Sequence, residues 1–226
     1  MGSNTQLTAL GEQQSTTFAK RIAIFGATGG TGIELTRLAL AAGLNVRLLV
    51  RNPRRMPLVS DRLRYVLGNV FDRESVVKTI LGTDAVFSCL GAHSLSNKHV
   101  CERGTKMILD VMRQHGVRRL IVESAHGVGD SYSRSSVMAR LVYATALRGP
   151  FADKIEMERA VSESDTDWTI VRPVLLTNGP QTSAYRVAPD LQVGLKTKIS
   201  RADTAEFMLK CYSDKSWSCQ LPSISY

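Results

Sequence analysis

The chain has 226 residues, 43% hydrophobic and 22% charged, which suits one large globular domain and excludes a disordered chain, a collagen-like fibre and a coiled coil. Its longest apolar run, residues 38–44, falls far short of the roughly 18–20 residues that cross a bilayer, so no membrane span is expected. A balance of 29 Lys and Arg against 20 Asp and Glu gives a net charge of +9, which favours anionic partners; no basic motif interleaved with aromatics points to nucleic acid.

Residues 1–19 are rich in Thr, Gln, Ser and Gly and lack the charged start and apolar middle of a signal peptide. Gln6 stands where a myristoylation signal needs Ser or Thr. The expectation is a flexible tail at 1–19 before a single cytoplasmic domain at 20–226. Residues 22–25 predict a buried strand, followed at once by the glycine turn Gly26-Ala-Thr-Gly29-Gly30-Thr-Gly32. Leu35, Leu38, Ala39 and Ala42 then recur at helical spacing, and Gly43 ends that helix. Strands at 46–50, 63–67 and 85–89 enclose a helix at 73–81. Val100, Gly104, Met107, Ile108, Val111 and Met112 share one face of a long helix that Gly116 closes. Strands follow at 119–122 and 168–171, and Ser200-Arg-Ala-Asp203 reads as a capping box opening a helix that runs through Cys211.

Continuous apolar strands separated by helices imply a parallel sheet covered on both faces. The predicted fold is α/β, a doubly wound Rossmann sheet in one domain with a modified C-terminal, substrate-side part. Cys89, Cys101, Cys211 and Cys219 form no CxxC pair and have no histidine cluster beside them, so no metal site is expected. Cys89 reads as a buried thiol.

The spacing of Gly26, Gly29 and Gly32 between a strand and a helix lets the backbone approach a pyrophosphate, whose charge then meets the helix N-terminus. This predicts a dinucleotide. A sheet that prefers NAD ends its second strand in Asp or Glu, which repels a 2′-phosphate. Here that strand ends in Leu49-Val-Arg51-Asn52, with Arg54 and Arg55 beyond. Arg51 with Arg55, or with Arg54, is suited to bidentate pairing with that phosphate, so NADPH is the expected cofactor.

These residues, with Gly68-Asn-Val-Phe-Asp72, Asp84-Ala-Val86 and Val171-Arg-Pro173, give the chain from Arg21 onward a resemblance to a known family. It resembles the atypical short-chain dehydrogenases of the NmrA-like group. His115-Gly-Val117, Gly179-Pro-Gln-Thr-Ser-Ala-Tyr185, Phe207-Met-Leu209 and Pro222-Ser-Ile-Ser-Tyr226 are similar to the biliverdin-IXβ and flavin reductase branch. The resemblance implies a monomeric NADPH-dependent reductase with an open pocket for flat, anionic, conjugated substrates such as flavins or tetrapyrroles. It places the turn from Gly26 through Thr28, Gly29, Gly30, Thr31 and Gly32 to Ile33 at the pyrophosphate, and Arg51 with Arg55 at the 2′-phosphate. It sets Asn69 and Val70 beside the adenine, Leu90 and Gly91 beside the ribose, and Ser124 and Ala125 beside the nicotinamide. Pro173, Val174 and Leu175 would cover that ring. Two positions depart from the pattern: Val174 replaces a histidine of the reductase branch, and Pro150 stands four residues before Lys154, where ordinary short-chain dehydrogenases have tyrosine.

Hydride transfer is chemistry that the cofactor brings, and a carbonyl acceptor also needs a hydrogen-bond or proton donor. The candidates are Ser124 at the end of the fifth strand, His126 just after it, and Lys154. Tyr132 and Tyr143 in the insert 127–149 are further candidates, as is His93, whereas His99 and His115 read as helix-surface residues. Arg134, Arg140 and Arg148 are expected to steer an anionic substrate from a lid. Three readings remain open: a flavin or tetrapyrrole reductase, a ketone or enone reductase on the same scaffold, and a non-catalytic NADP-binding sensor.

Overall fold

The computed structural model describes residues 20–91 and 99–226. The expected tail at 1–19 and the candidate His93 lie outside the described residues. The chain runs β1 (Arg21–Phe25), α1 (Gly30–Ala41), β2 (Asn45–Val50), β3 (Leu63–Leu67), α2 (Arg73–Ile80), β4 (Ala85–Ser88) and α3 (Val100–Gln114). It continues through β5 (Arg119–Glu123), α4 (Val137–Thr145), α5 (Arg148–Ser162), β6 (Asp167–Pro173), β7 (Leu175–Thr177), β8 (Arg186–Ala188), β9 (Lys198–Ser200), α6 (Arg201–Ser213) and β10 (Ser223–Ser225). Short 3-10 turns lie at Pro53–Arg55, Gly129–Arg134 and Lys215–Trp217.

Eight strands form one sheet in the order β3-β2-β1-β4-β5-β6-β10-β8, and only β8 runs antiparallel to its neighbour. β7 and β9 make a small separate parallel pair. Because both faces are covered, consecutive residues of a strand enter different cores. Ile22 and Ile24 of β1 pack with Leu35, Ala39 and Met208 on the α1 and α6 side. Ala23 and Phe25 pack with Val76, Ile108, Met112 and Met157 on the α2, α3 and α5 side. The strand order reverses between β1 and β4, which opens a crevice at the C-terminal ends of those strands. Among the described residues, no helix is long and apolar enough to cross a membrane.

The strands and helices expected from the sequence form within one or two residues of their predicted bounds. Half of the expected capping box forms: the Ser200 hydroxyl accepts from the Asp203 amide at 2.9 Å, while the Ser200 amide donates to the Tyr226 hydroxyl at 3.2 Å instead of to Asp203. The stretch 127–149, expected only as an insert, contains a 3-10 turn, α4 and the start of α5. It is held by a charge network centred on the buried Arg172, which reaches the buried Glu158 and the exposed Asp130. Arg172 of β6 donates to both carboxylate oxygens of Glu158 in α5, at 3.0 and 2.6 Å, and to Asp130 in the 3-10 turn at 2.6 Å. Helix α3 borrows its cap from α5: Asp153 accepts the amides of Cys101 and Glu102 at 2.9 and 2.8 Å. Helix α5 is therefore fixed to β6 and to α3 by charge as well as by packing.

Removing one member of a buried ion pair leaves the other charge without a partner. We expect Arg172→Met to destabilise the protein by about 3–5 kcal/mol in urea unfolding, and Arg172→Met with Glu158→Met to recover most of that loss. Equal stability of the single variant and the wild type would contradict this role for Arg172.

Candidate functional site

Gly26 leaves β1 with φ +71, and a Cβ there would overlap the Cys89 carbonyl just past β4. A Cβ on Gly32 would meet the Gly26 carbonyl, so the turn and α1 pack at backbone contact across the switch point. Gly29 is the N-cap of α1, with no side-chain cap and no acidic residue in the first turn. The positive end of the helix dipole and the first-turn amides therefore meet the crevice uncompensated by a side chain.

Two depressions follow the strand ends. The smaller, about 130 Å³, is lined by Gly26, Thr28, Gly29, Arg51, Asn69, Val70, Leu90 and Gly91 among others. The larger, about 590 Å³, takes in Gly29 to Gly32, Leu90, Gly91, Glu123 to His126, Lys154 and Pro173 to Leu176. Gly29, Cys89, Leu90 and Gly91 belong to both walls, so the two form one groove across the sheet. Three expected contacts stand apart from it. Ile33 packs on the α1 side of the core and its amide is taken by the Gly29 carbonyl, because it is already inside the helix. Arg54 and Arg55 sit on the exposed turn Pro53–Arg55, next to Arg51 but outside the groove wall.

The cleft floor carries a charged cluster that the sequence reading overlooked. Glu123, the last residue of β5, is buried, and its carboxylate accepts from the Thr31 hydroxyl of α1 at 2.8 Å. Burial pushes its pKa up, opposed by the Lys154 charge, the Thr31 hydrogen bond and Arg201. Lys154 donates to the Glu123 carbonyl at 3.1 Å. Arg201 reaches over Gly30, where its side chain fills the space a Cβ would need, and donates to Asn178 at 2.7 Å. A charged residue closing the apolar run 120–122 was a readable signal for Glu123. Arg201 gave none, since its position over the turn follows only from the packing of α6 on α1.

Ser124 and His126 are also buried in the cleft wall, and both keep a side-chain atom without a partner: the serine hydroxyl and the histidine Nε2. The other ring nitrogen of His126 lies 3.0 Å from the Ser223 hydroxyl. Burial, with the Arg172 and Arg134 charges, lowers the His126 pKa from 6.5 to about 4. With that pKa the ring is neutral at physiological pH. Of the two tyrosines, Tyr143 lines the cleft, stacked on Phe151 at 4.9 Å and closing over Gly127. Tyr132 lies outside, donating to the Arg140 carbonyl at 3.3 Å. The lid arginines Arg134, Arg140 and Arg148 do not reach the cleft wall; Arg134 is bound to Asp130 and to the Pro189 carbonyl.

A family profile described as NAD(P)H-binding matches residues 26–215, the span that builds this groove. The chain belongs to the NAD(P)H-binding family. Reductase pytE of Aspergillus terreus is 27% identical to it, over 84% of this chain and 90% of that protein. Among solved structures, a short-chain dehydrogenase/reductase from Veillonella parvula in complex with NADP superposes with a TM-score of 0.78 at 18% identity, covering 92% of this chain and 94% of that one. The anaerobillin reductase ChuY from Escherichia coli gives 0.77 at 21% identity, covering 91% and 96%. At these identities the structural likenesses establish the fold, a Rossmann sheet.

The lowered His126 pKa has a signed consequence. Between pH 6.5 and about 4 the unfolded chain binds a proton that the folded ring refuses, so this group's contribution falls as pH drops through that window. Relative to His126→Asn, the wild type should lose about 3 kcal/mol in urea unfolding between pH 7 and pH 4. A constant difference between the two proteins would refute the assignment.

Proposed function

We propose that the protein is an NADPH-dependent reductase that delivers a hydride to a flat conjugated acceptor: a flavin, a biliverdin-like tetrapyrrole or a conjugated ketone. The observation that carries this reading is the pair of buried, unpartnered polar atoms on Ser124 and His126, in the wall of a cleft continuous with the glycine turn. Buried polar atoms without partners are costly, and a ligand seated there satisfies them. The cradle also fits the dinucleotide, because the first turn of α1 is uncapped and Gly26 and Gly32 admit close backbone approach. When bound, NADPH supplies a hydride and leaves as NADP⁺, while the acceptor takes that hydride together with one proton.

The residues divide the work by position. Arg51, in the wall of the smaller depression, pairs with the 2′-phosphate. Asn69 and Val70 flank the adenine, and Leu90 and Gly91 the ribose. Arg201 adds a guanidinium beside the turn, and Lys154 keeps donors for a ribose hydroxyl while fixed to the Glu123 carbonyl. Pro173, Val174 and Leu175 cover the ring side of the cleft. Ser124 donates to the acceptor oxygen or to the nicotinamide amide. The neutral His126 ring serves as a hydrogen-bonding partner. With Pro150 in place of the usual tyrosine, Tyr143 is the phenol available in the cleft wall.

An NADPH oxidation assay over FMN, biliverdin, quinones and small conjugated ketones, with NADH as control, tests the reading. Tight binding of both NADP⁺ and NADPH with no consumption by any acceptor would favour the sensor instead. Arg51→Glu should weaken NADPH binding by about 100-fold and NADH binding by less than about threefold in calorimetric titration. Equal loss for both nucleotides would remove Arg51 from the phosphate site. Ser124→Ala should lower kcat by about 10- to 100-fold with nucleotide affinity nearly unchanged.

A further inference from the structure

Away from the glycine turn, the described residues of the cleft wall carry no cation. Its two basic side chains, Lys154 and Arg201, are engaged at the glycine-turn end, on the Glu123 carbonyl and over Gly30 with Asn178. The remaining wall is built from apolar and aromatic residues, with Val142, Tyr143, Leu147 and Phe151 from the α4–α5 segment and Val174 and Leu195 from the loops after β6 and β8. The arginines expected to receive an anionic substrate stand elsewhere, and Arg134 is already paired with Asp130. A carboxylate or phosphate carried into this wall would shed its water and, among the described residues, meet no guanidinium or ammonium in return.

The apolar character continues outward. Leu175 and Leu195 belong to the cleft wall yet are 63% and 43% exposed. Helix α4, which lines the cleft with Val142 and Tyr143, also presents Val137, Met138 and Leu141 to solvent. A single exposed leucine is ordinary, but Leu175 and Leu195, exposed apolar side chains from two segments of one cleft wall, are what a binding surface presents. Aromatic walls with a few fixed polar atoms, here Ser124 and His126, are the usual dress of a small-molecule site.

Resting on the reductase reading above, we propose that this cleft takes a neutral, flat, apolar conjugated ketone and selects against carboxylate- and phosphate-bearing analogues. The carbonyl oxygen is received by Ser124, and the hydrocarbon body lies along Tyr143 and Phe151. Exclusion of anions follows from the wall: desolvating an unpaired carboxylate there is the discriminating penalty.

Chalcone and carboxychalcone share a skeleton and differ by one carboxylate, which isolates that penalty. In equilibrium dialysis against the full chain, with and without saturating NADP⁺, chalcone should bind about tenfold or more tightly than carboxychalcone. Leu195→Lys adds a cation at an exposed wall position and should shrink that ratio to about threefold or less, with NADP⁺ affinity unchanged. Equal or tighter binding of carboxychalcone, no saturable chalcone binding, or a ratio unmoved by Leu195→Lys would overturn the proposal. NADP⁺ affinity is titrated alongside by calorimetry. Its absence with the chalcone preference intact would overturn the reductase reading alone, and its presence without the preference would overturn only the substrate class.

Discussion

The contact on which the site depends is the approach of the Gly26 backbone to the Cys89 carbonyl. It joins the end of β1 to the end of β4 at the one place in the sheet where neighbouring strands send their connections in opposite directions. Any side chain at Gly26 would wedge the two strand ends apart, and φ +71 at that residue would strain it further. With the turn drawn in, α1 starts directly beside the ends of β4 and β5, and its uncapped N-terminus becomes part of the groove.

Charge in this groove is arranged by strand end. Arg51 closes the far side beyond β2, while Glu123, Lys154 and Arg201 surround the near side, where the turn meets β5. Glu123 is the unusual member, a buried carboxylate beside the first turn of α1. Its hydrogen bond from Thr31 ties α1 to β5, and two neighbouring cations offset part of its burial. The helix dipole, Lys154 and Arg201 then leave an anion-accepting region that ends abruptly at the apolar wall of α4 and α5. A polar end beside the glycine turn and an apolar end under α4 and α5 therefore share one groove.

The scaffold around that groove is fastened by groups remote from the chemistry. Arg172 grips Glu158 and Asp130, and so holds both α5 and the 3-10 turn in front of α4. Asp203 at the start of α6 accepts from the amides of Thr182 and Ser183 and from the Tyr226 hydroxyl, fixing the segment after β7 against the helix that carries Arg201. Position in the cleft is thus set by buried polar clusters, which have fewer alternative arrangements than apolar contacts.

The local signals fixed most of the scaffold. Strands such as Ile22 to Phe25 show continuous apolar runs because both faces are buried, the glycine spacing is demanded by backbone approach, and Arg51 at a strand end needs no partner to be recognised. The glycine-turn half of the groove is therefore local in origin: nearly every residue lies just past a strand end in the sequence. The half under α4 and α5 is not. Arg201 over Gly30 and the neutral His126 beside Ser223 join residues about a hundred or more positions apart. Composition suggested an anionic ligand, but net charge counts cations without saying which are already paired. Only the packing of α4, α5 and α6 on the sheet decided that the arginines face away and the apolar side chains face in.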